Sequence, residues 1–465
     1  MRFAKFLSIL VLAALITTSG FGCKLSSPEE EAATKPITLT MWGVYDESDM
    51  IEPFITAYRA QHPNITINYK MYRFEEYEEE LLNALAEDRG PDIFTVHNTW
   101  MRGYTPKIAP LPAELTIGYI ERSGGALGQE TTVTIVKEPS VTLRQLRDGF
   151  VDAVYGDAVV PVWNEKTEVY DDKIMGIPLS VDTLALYYNR DILNAAGIAQ
   201  PPATWVNFQE QVKAITKLDA NGDIAQSAAP IGTASNVERA TDILSVLMMQ
   251  NGTEMTNESG FATFHKTPKS ISGRDEPPGW GALRFYTDFA NSTKEVYTWN
   301  DDMPDSLDAF STGQTAFFLG YSYHLSQIRT KAPKLNFGIA PLPQLEGNPE
   351  VNYANYWLYS VSQKTEHVDY AWDFVQFMAE AKNVADYLEA SKKPTALRSL
   401  QTSQLEDLDL SVFVSQILTA ESWYRGKDWG AVEDAFSDMI DSQVYGSMEI
   451  KDAINLAASR VNQTL

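Results

Sequence analysis

From residue 37 onward, apolar and polar positions follow two different periods. Residues 37–42 and 65–69 have the spacing of β-strands, whereas residues 50–58 carry apolar side chains at helical spacing. Residues 75–87 place apolar side chains on one face of a second helix, and the apolar run 93–96 follows as a third strand. This alternation of strands and helices predicts an α/β fold on a mostly parallel sheet, in which ligand groups gather at the carboxyl ends of strands.

Helical spacing dominates the second half of the chain. An apolar strand over 183–188 precedes it, and no repeat of fixed period is present, which argues against propellers and solenoids. Residues 117–160 are the least regular stretch; they favour a strand over 131–136 and a helix over 143–155, and no role is assigned to them. The predicted helices span residues 191–196, 205–217, 241–250, 279–291, 368–380, 381–391, 410–420, 430–443 and 450–462.

The amino-terminal residues have the pattern of an export signal. Basic residues precede an apolar run over 6–16, which is too short to span a bilayer as a mature helix. Small residues then lead to Cys23, and this arrangement resembles a bacterial lipoprotein signal, although Gly20 stands where the usual pattern has Leu. We therefore predict a signal peptide over 1–22, lipidation at Cys23 and a solvated tether over 23–36. A secreted protein with a free thiol is the alternative.

Length, charge and cysteine content narrow the class of protein. The chain has 465 residues, 44% of them hydrophobic, which is long enough for two lobes with separate cores. Its formal net charge of -25 repels phosphate backbones, so we expect no nucleic-acid partner. Cys23 is the only cysteine, which excludes an intrachain disulfide and a cysteine-based metal cluster.

Signatures of catalysis are largely absent from the sequence. It contains no phosphate loop, no dinucleotide fingerprint and no pair of zinc-binding histidines on one helical turn, so we expect neither cofactor nor metal. The segment around Ser322 lacks the second glycine of a serine-hydrolase turn. Residues 219–223 predict an Asn-Gly turn rather than a calcium loop. A glycosidase with two carboxylates stays open, because such residues lie anywhere in a sequence.

Aromatic side chains cluster where strands pass into loops. Flat rings stack on the C–H faces of sugars, while neighbouring carboxylates and amides bond to hydroxyls, a role for which Asp46, Asn98 and Asp182 are candidates. Each aromatic residue alone is more often a packing residue, so the interpretation depends on the clusters. The clustered residues are Trp42, Tyr45, Trp100, Tyr321, Tyr323, Tyr353, Tyr356, Trp357, Trp423, Tyr424 and Trp429.

Five segments, in this order and spacing, are similar to a known family. They comprise residues 37–43; 84–94; 176–191 with 202–205; 310–323 with 337–343; and 371–374 with 394–398. Together they resemble the extracellular solute-binding proteins of family 1, the oligosaccharide-binding group that includes maltodextrin-binding proteins. The resemblance covers nearly all of residues 37–465.

The resemblance implies a two-lobed periplasmic-binding-protein fold, with a ligand cleft between α/β lobes joined by a hinge and closure on ligand. The N-terminal lobe would comprise residues 37–181 and 308–352, and the C-terminal lobe residues 182–307 and 353–465. Such a protein is a monomeric, non-enzymatic receptor that delivers a sugar or oligosaccharide to the permease of an ABC transporter. It works in the periplasm or, when lipid-anchored, on the outer face of the cytoplasmic membrane.

The family's binding residues can be assigned to positions of this chain. The resemblance implies ligand contacts from the loops after the first and third strands, from an acidic hinge residue and from the C-terminal tryptophan. Tyr323 stands where the family commonly has Trp, and Asn236 lies in the stretch that supplies a second-lobe contact. With Trp357 from the aromatic clusters, the candidate ligand-binding residues are Trp42, Asp46, Asn98, Trp100, Asp182, Asn236, Tyr323, Trp357 and Trp429.

Two other functions compete with the sugar receptor. A receptor of the same fold for a polyamine, amino acid or peptide is the first, because a carboxylate-rich cleft suits cations. A carbohydrate hydrolase that uses Asp46 or Asp182 is the second.

Overall fold

The structure is a computed structural model that describes residues 35–125, 128–271, 273 and 276–465. The predicted signal peptide, the lipidation site Cys23 and the tether as far as residue 34 lie outside the described residues. Within the described part, no helix combines the length and the apolar character needed to cross a membrane.

Strands and helices alternate along the chain. The strands are β1 (Ile37–Val44), β2 (Ile65–Tyr72), β3 (Ile93–His97), β4 (Glu114–Gly125), β5 (Gly128–Pro139), β6 (Val159–Asn164), β7 (Val169–Ile174), β8 (Asp182–Thr183), β9 (Ala185–Asn189), β10 (Lys217–Leu218), β11 (Ile224–Gln226), β12 (Phe317–Gly320), β13 (Phe337–Ala340), β14 (Asn352–Asn355), β15 (Trp357–Val361) and β16 (Ala420–Glu421). The α-helices are α1 (Ser48–Gln61), α2 (Phe74–Ala86), α3 (Met101–Tyr104), α4 (Leu143–Gly149), α5 (Asp152–Ala158), α6 (Arg190–Ala195), α7 (Trp205–Ile215), α8 (Ala240–Gln250), α9 (Pro278–Asp288), α10 (Ser306–Ser311), α11 (Tyr323–Lys331), α12 (Val368–Met378), α13 (Ala381–Ser391), α14 (Gln401–Gln404), α15 (Ser411–Gln416), α16 (Trp429–Val444) and α17 (Ile450–Asn462).

The sheet of the first lobe has the strand order β15-β3-β1-β2. β1 runs parallel to both β2 and β3, which confirms the predicted parallel arrangement. β15 returns much later in the chain and pairs antiparallel with β3, with Trp357 opposite His97. This register places both side chains at the carboxyl end of β3, the edge at which α/β proteins bind ligands.

The second lobe is built around the antiparallel sheet β12-β9-β13. Its strand β9 alternates between a buried cluster with Tyr187, Phe310 and Phe318 and the main hydrophobic core of the molecule. α16 packs against α17, α8 and α9, and α17 also packs against α9. The two sheets confirm the two-lobed α/β fold.

The pairing of the strands differs from the predicted lobe boundaries. β12 and β13 lie within residues 308–352 but pair with β9, so this segment joins the second sheet rather than the first. Conversely, β15 joins the first sheet, and α12 and α13 pack beside it and against α1, although all three lie within residues 353–465. The prediction was wrong because strands of similar apolar pattern do not reveal which partner they pair with.

Most predicted helices and strands are present within a few residues of their predicted ends. The irregular stretch 117–160 differs most: it contains the long hairpin β4–β5, and its predicted single helix is the pair α4 and α5. The two helices separate at Phe150, which leaves helical geometry and forms a β-bridge to Leu397. The hairpin β6–β7 was not predicted, because its alternating residues face solvent on both sides for most of its length.

A buried carboxylate ties the connections between the lobes to the first lobe. Asp157 is 2% exposed and accepts hydrogen bonds from Asn98 Nδ2 at 3.2 Å and from the Tyr356 hydroxyl at 2.8 Å. The Ser422 hydroxyl donates to it at 2.6 Å, and Arg425 Nη2 pairs with it at 3.1 Å. Since Tyr356 and Ser422 lie beside β15 and β16, Asp157 fixes where two passages of the chain meet α5.

Replacing Asp157 with asparagine is expected to lower the free energy of unfolding by about 2–4 kcal/mol, because the amide nitrogen cannot accept from Ser422, Tyr356 or Arg425. Urea unfolding measures the change. Asp152→Asn, on the same helix, is the matched control: its side chain is 71% exposed in its pair with Arg398, so less than about 1 kcal/mol is expected. Equal losses in the two variants would contradict the role given to Asp157.

Candidate functional site

A cavity of about 540 Å³ lies between the two lobes. Its first-lobe wall comes from the carboxyl ends of β1, β2 and β3, and its second-lobe wall from α8, α11 and α16. These are the positions at which an α/β sheet and helix amino termini present groups to a ligand. The aromatic side chains that line it are Tyr45, Phe74, Trp100, Tyr323, Tyr356, Trp357, Tyr359, Tyr387 and Trp429.

Three rings of the first lobe form a stacked wall. Tyr45 stacks on Phe74 with 5.9 Å between ring centroids, and Phe74 stacks on Trp100 at 6.3 Å. Trp357 meets all three edge-on, at centroid distances of 6.1 Å from Tyr45, 6.3 Å from Phe74 and 5.2 Å from Trp100. Because offset and edge-to-face contacts are the favoured geometries of aromatic pairs, this wall is rigid and still presents ring faces to the cavity.

The second lobe contributes Tyr323, the first residue of α11. It is 37% exposed and stacks on Tyr45 across the cavity, with 6.3 Å between centroids and 11° between ring planes. Tyr321 supports it from behind at 5.8 Å. The two lobes therefore meet through aromatic faces. Trp429 lies on the same side and begins α16, where the Asp428 carboxylate caps the helix by accepting from the Ala431 N–H at 3.0 Å.

Asp182 joins the passage between the lobes to the start of α11. Its carboxylate accepts from the Ser322 N–H at 2.9 Å, from the Ser322 hydroxyl at 2.7 Å and from the Thr183 N–H at 2.8 Å. Burial raises the pKa of Asp182 to about 6, although these three donors favour the charged form. Asp182 is therefore a fixed acceptor at the edge of the cavity.

Four side chains donate hydrogen bonds to Asp46. Its Oδ1 accepts from the Tyr387 hydroxyl at 2.8 Å and from Lys393 Nζ at 2.6 Å, and its Oδ2 accepts from the Tyr359 hydroxyl at 3.0 Å. Its backbone carbonyl accepts from the Tyr69 hydroxyl at 2.7 Å. The carboxylate is 5% exposed, so it presents little surface to the cavity.

The other charged groups are arranged around Arg239 on the second lobe. Its guanidinium pairs with the buried Asp242 at 2.7 Å and lies 3.8 Å from Glu433. The Glu238 carboxylate accepts from His324 Nε2 at 2.8 Å, because His324 Nδ1 is itself an acceptor from the Tyr321 N–H. On balance the cavity is acidic. Its carboxylates belong to Asp46, Glu75, Glu78, Asp182, Glu238 and Glu433, and its cations to Arg239 and Lys393.

His97 is the imidazole that faces the cavity. It is bonded to Thr99 Oγ1 at 2.7 Å and to Asn355 Oδ1 at 3.2 Å. Burial, with Arg239 nearby, lowers the pKa of His97 to about 3, so the ring is neutral at physiological pH. Both ring nitrogens are engaged by the protein, so His97 brings a neutral ring and no charge to the cavity wall.

The structure places six of the predicted site residues on the cavity: Asp46, Trp100, Asp182, Tyr323, Trp357 and Trp429. Three others lie elsewhere. Trp42 packs on Tyr72 of the neighbouring strand β2, with 4.7 Å between ring centroids, and does not line the cavity. Asn98 is buried beneath the cavity on Asp157, and Asn236 bonds to the carbonyls of Asn300 and Met303 at 2.9 Å. Their polar groups therefore support the fold.

Several cavity residues were not among the predicted site residues. Phe74 begins α2 two residues after β2 ends, so its place near the carboxyl end of a strand was a usable signal. No sequence signal marked Arg239 or Glu433 as cavity residues, because a lone charged residue at the start of a helix does not reveal that it faces a cleft. Tyr45 was in the aromatic cluster, and Lys393 lies next to one of the segments that carry the family resemblance.

Two lobes built on separate sheets, with an aromatic and polar cavity between them, define a two-lobed solute-binding protein. The chain belongs to the bacterial extracellular solute-binding proteins, whose family model matches residues 54–408. Membership places its site of action outside the cytoplasm.

Several known proteins are similar to this chain over most of its length. A galactooligosaccharide-binding protein of Bacillus subtilis is 20% identical over 403 residues, covering 86% of this chain and 82% of that protein. A maltooligosaccharide ABC transporter solute-binding lipoprotein of Streptococcus pneumoniae is 23% identical over 306 residues, covering 63% and 66%. The crystal structure of the cyclic alpha-maltosyl-1,6-maltose binding protein of Arthrobacter globiformis is similar in fold, with a TM-score of 0.70 and 20% identity over 92% of this chain and 99% of that one.

The raised pKa of Asp182 predicts a specific pH dependence of stability. The folded state holds the Asp182 proton more tightly than an unfolded aspartate, whose pKa is about 3.9. The unfolding free energy contributed by this group is therefore greatest below pH 4 and falls as pH rises towards about 6. Asp182→Asn removes this contribution, so the wild-type stability should decline relative to that of the variant between pH 4.5 and about pH 6.5 in urea unfolding.

The matched control for this measurement is Asp172→Asn, an exposed carboxylate on β7. It should follow the wild-type pH curve. A wild-type minus Asp182→Asn difference that stays constant or increases with pH would contradict the assignment.

Proposed function

We propose that the protein is the extracytoplasmic substrate-binding component of an ABC transporter and that it captures a sugar or oligosaccharide in the interlobe cavity. The observation that supports this most strongly is the combination of exposed ring faces, at Tyr45 and Tyr323, with other carboxylates that line the same cavity, such as Glu75 and Glu433. Ring faces suit the C–H faces of sugars, and carboxylates accept hydrogen bonds from sugar hydroxyls. The relatives whose names specify oligosaccharides support the same ligand class.

The geometry favours binding without catalysis. Asp46 and Asp182, the two carboxylates considered for hydrolysis, each accept from at least three donors of the protein itself. The Ser322 hydroxyl donates to Asp182, while His324 Nδ1 accepts from the Tyr321 N–H at 2.9 Å, so this imidazole does not serve Ser322 as a base. A general acid or base must be free to exchange a proton with substrate.

A cationic solute is the second candidate ligand. The cavity carries more carboxylates than cations, and both of its cations are already paired, Lys393 with Asp46 and Arg239 with Asp242. This surplus of negative charge suits a polyamine or a basic amino acid.

A thermal-unfolding panel separates the two ligand classes. The full chain, in a detergent without a sugar headgroup, is heated with malto-, galacto- and manno-oligosaccharides, simple sugars, amino acids and polyamines. A ligand at 100 times its Kd adds about 2.7 kcal/mol, which raises the Tm by a few degrees. We expect a shift with one carbohydrate class. A shift with cationic solutes alone would overturn the carbohydrate assignment.

We propose further that the protein works as a monomer, held by a lipid at Cys23 on the outer face of the cytoplasmic membrane, from which it meets the permease. The lipoprotein-like segment before Cys23 and the polar tether after it support the anchor. In cells, Cys23→Ser should move the protein out of the lipid-labelled membrane fraction, as measured by incorporation of labelled palmitate. Unchanged labelling in this variant would contradict the anchor.

A further inference from the structure

We infer that Tyr45 is a specificity-determining residue of the cleft and that Asp46 is a positioning residue that holds Tyr45 in place, not itself a primary ligand contact. This inference rests on the proposed function and assigns different roles to two neighbouring residues in the loop after β1.

Tyr45 is the central residue of an unusually tight turn. The Asp46 N–H donates to the Val44 carbonyl at 2.9 Å, which is the i to i+2 hydrogen bond of a γ-turn. The φ angle of Tyr45 is +67°, in the region that side chains other than glycine rarely adopt. Such strain persists only where neighbouring contacts enforce it, and it is concentrated at functional sites.

Asp46 supplies the contacts that enforce this turn. Three side chains from β15, α13 and the segment after α13 donate to its carboxylate, and Tyr69 from β2 donates to its carbonyl. Both carboxylate oxygens are engaged, and 5% of the residue is exposed. A ligand hydroxyl would therefore have to compete with partners of the protein for Asp46.

Tyr45 has the opposite character. It is 52% exposed, its ring lies between Phe74 and Tyr323, and it makes the stacking contact that crosses the cavity. A ligand ring inserted between two aromatic faces needs about 7–8 Å between them, since carbon atoms in contact lie about 3.5–4.0 Å apart. The 6.3 Å between Tyr45 and Tyr323 is smaller, so a ligand ring there must move the lobes apart or take the place of one ring. Tyr45 thereby links ligand contact to the separation of the lobes.

A double-mutant cycle tests the two roles. Isothermal titration calorimetry measures the Kd of the carbohydrate that gives the largest Tm shift in the panel, for the full chain and for Tyr45→Ala, Asp46→Asn and the double variant. We expect Tyr45→Ala to raise the Kd about tenfold, the loss of one stacking contact. Asp46→Asn should raise it severalfold in the wild-type background and less than about twofold in the Tyr45→Ala background, because residues that act through one contact are not additive.

The control variant is Tyr170→Ala, which removes a tyrosine that is 67% exposed on the β6–β7 hairpin; its Kd should equal that of the wild type. If Asp46→Asn raises the Kd by the same factor in both backgrounds, Asp46 contacts the ligand itself and the inference fails. A wild-type chain that binds no carbohydrate defeats the proposed function instead.

A measurement without ligand tests the strain. At a φ of +67°, glycine is unstrained, so Tyr45→Gly should leave the Tm unchanged or raise it. Tyr170→Gly on the hairpin strand should lower the Tm. A clear fall in the Tm of Tyr45→Gly would mean that Tyr45 is a packing residue and would overturn its assignment as a strained binding residue.

Discussion

The buried carboxylate of Asp157 is the contact on which the arrangement of the lobes depends. The chain leaves each lobe and returns to it, and two of the returning segments are fixed to α5 through the hydroxyls of Tyr356 and Ser422. Without an acceptor there, the two hydroxyls would be left without the buried partner to which they donate. The cavity lies directly beside this junction, because Tyr356 lines it and Trp357 begins β15.

The same use of buried acceptors recurs at the cavity itself. Asp46 and Asp182 are both saturated by donors of the protein, so they fix the loops that carry Tyr45 and Tyr323. Stacked rings then form the surface that a ligand meets. Asp46 and Asp182 were candidates for binding sugar hydroxyls, but their carboxylates instead determine the positions of the aromatic rings. This division of roles explains how a site with many acidic residues can still be adapted to a ligand with apolar faces.

Local sequence patterns predicted the first three strands, most of the longer helices and the parallel pairing of the first sheet, because spacing of apolar residues determines which face each element buries. Local patterns did not reveal which distant strands pair. β12 and β15 are both short apolar runs, yet they belong to different sheets. At the site, strand ends and aromatic clusters indicated Trp100, Tyr323 and Trp357. Trp42, Asn98 and Asn236 were not distinguishable from cavity residues, since only tertiary contacts show that they are engaged elsewhere in the fold.

The most direct test of this account is a crystal structure of the protein with the carbohydrate that stabilises it. We expect sugar rings to occupy the interlobe cavity against the faces of Tyr45 and Tyr323, with Asp46 still bound by Tyr359, Tyr387 and Lys393. A carbohydrate bound outside this cavity, or held there without contact to either tyrosine, would contradict it.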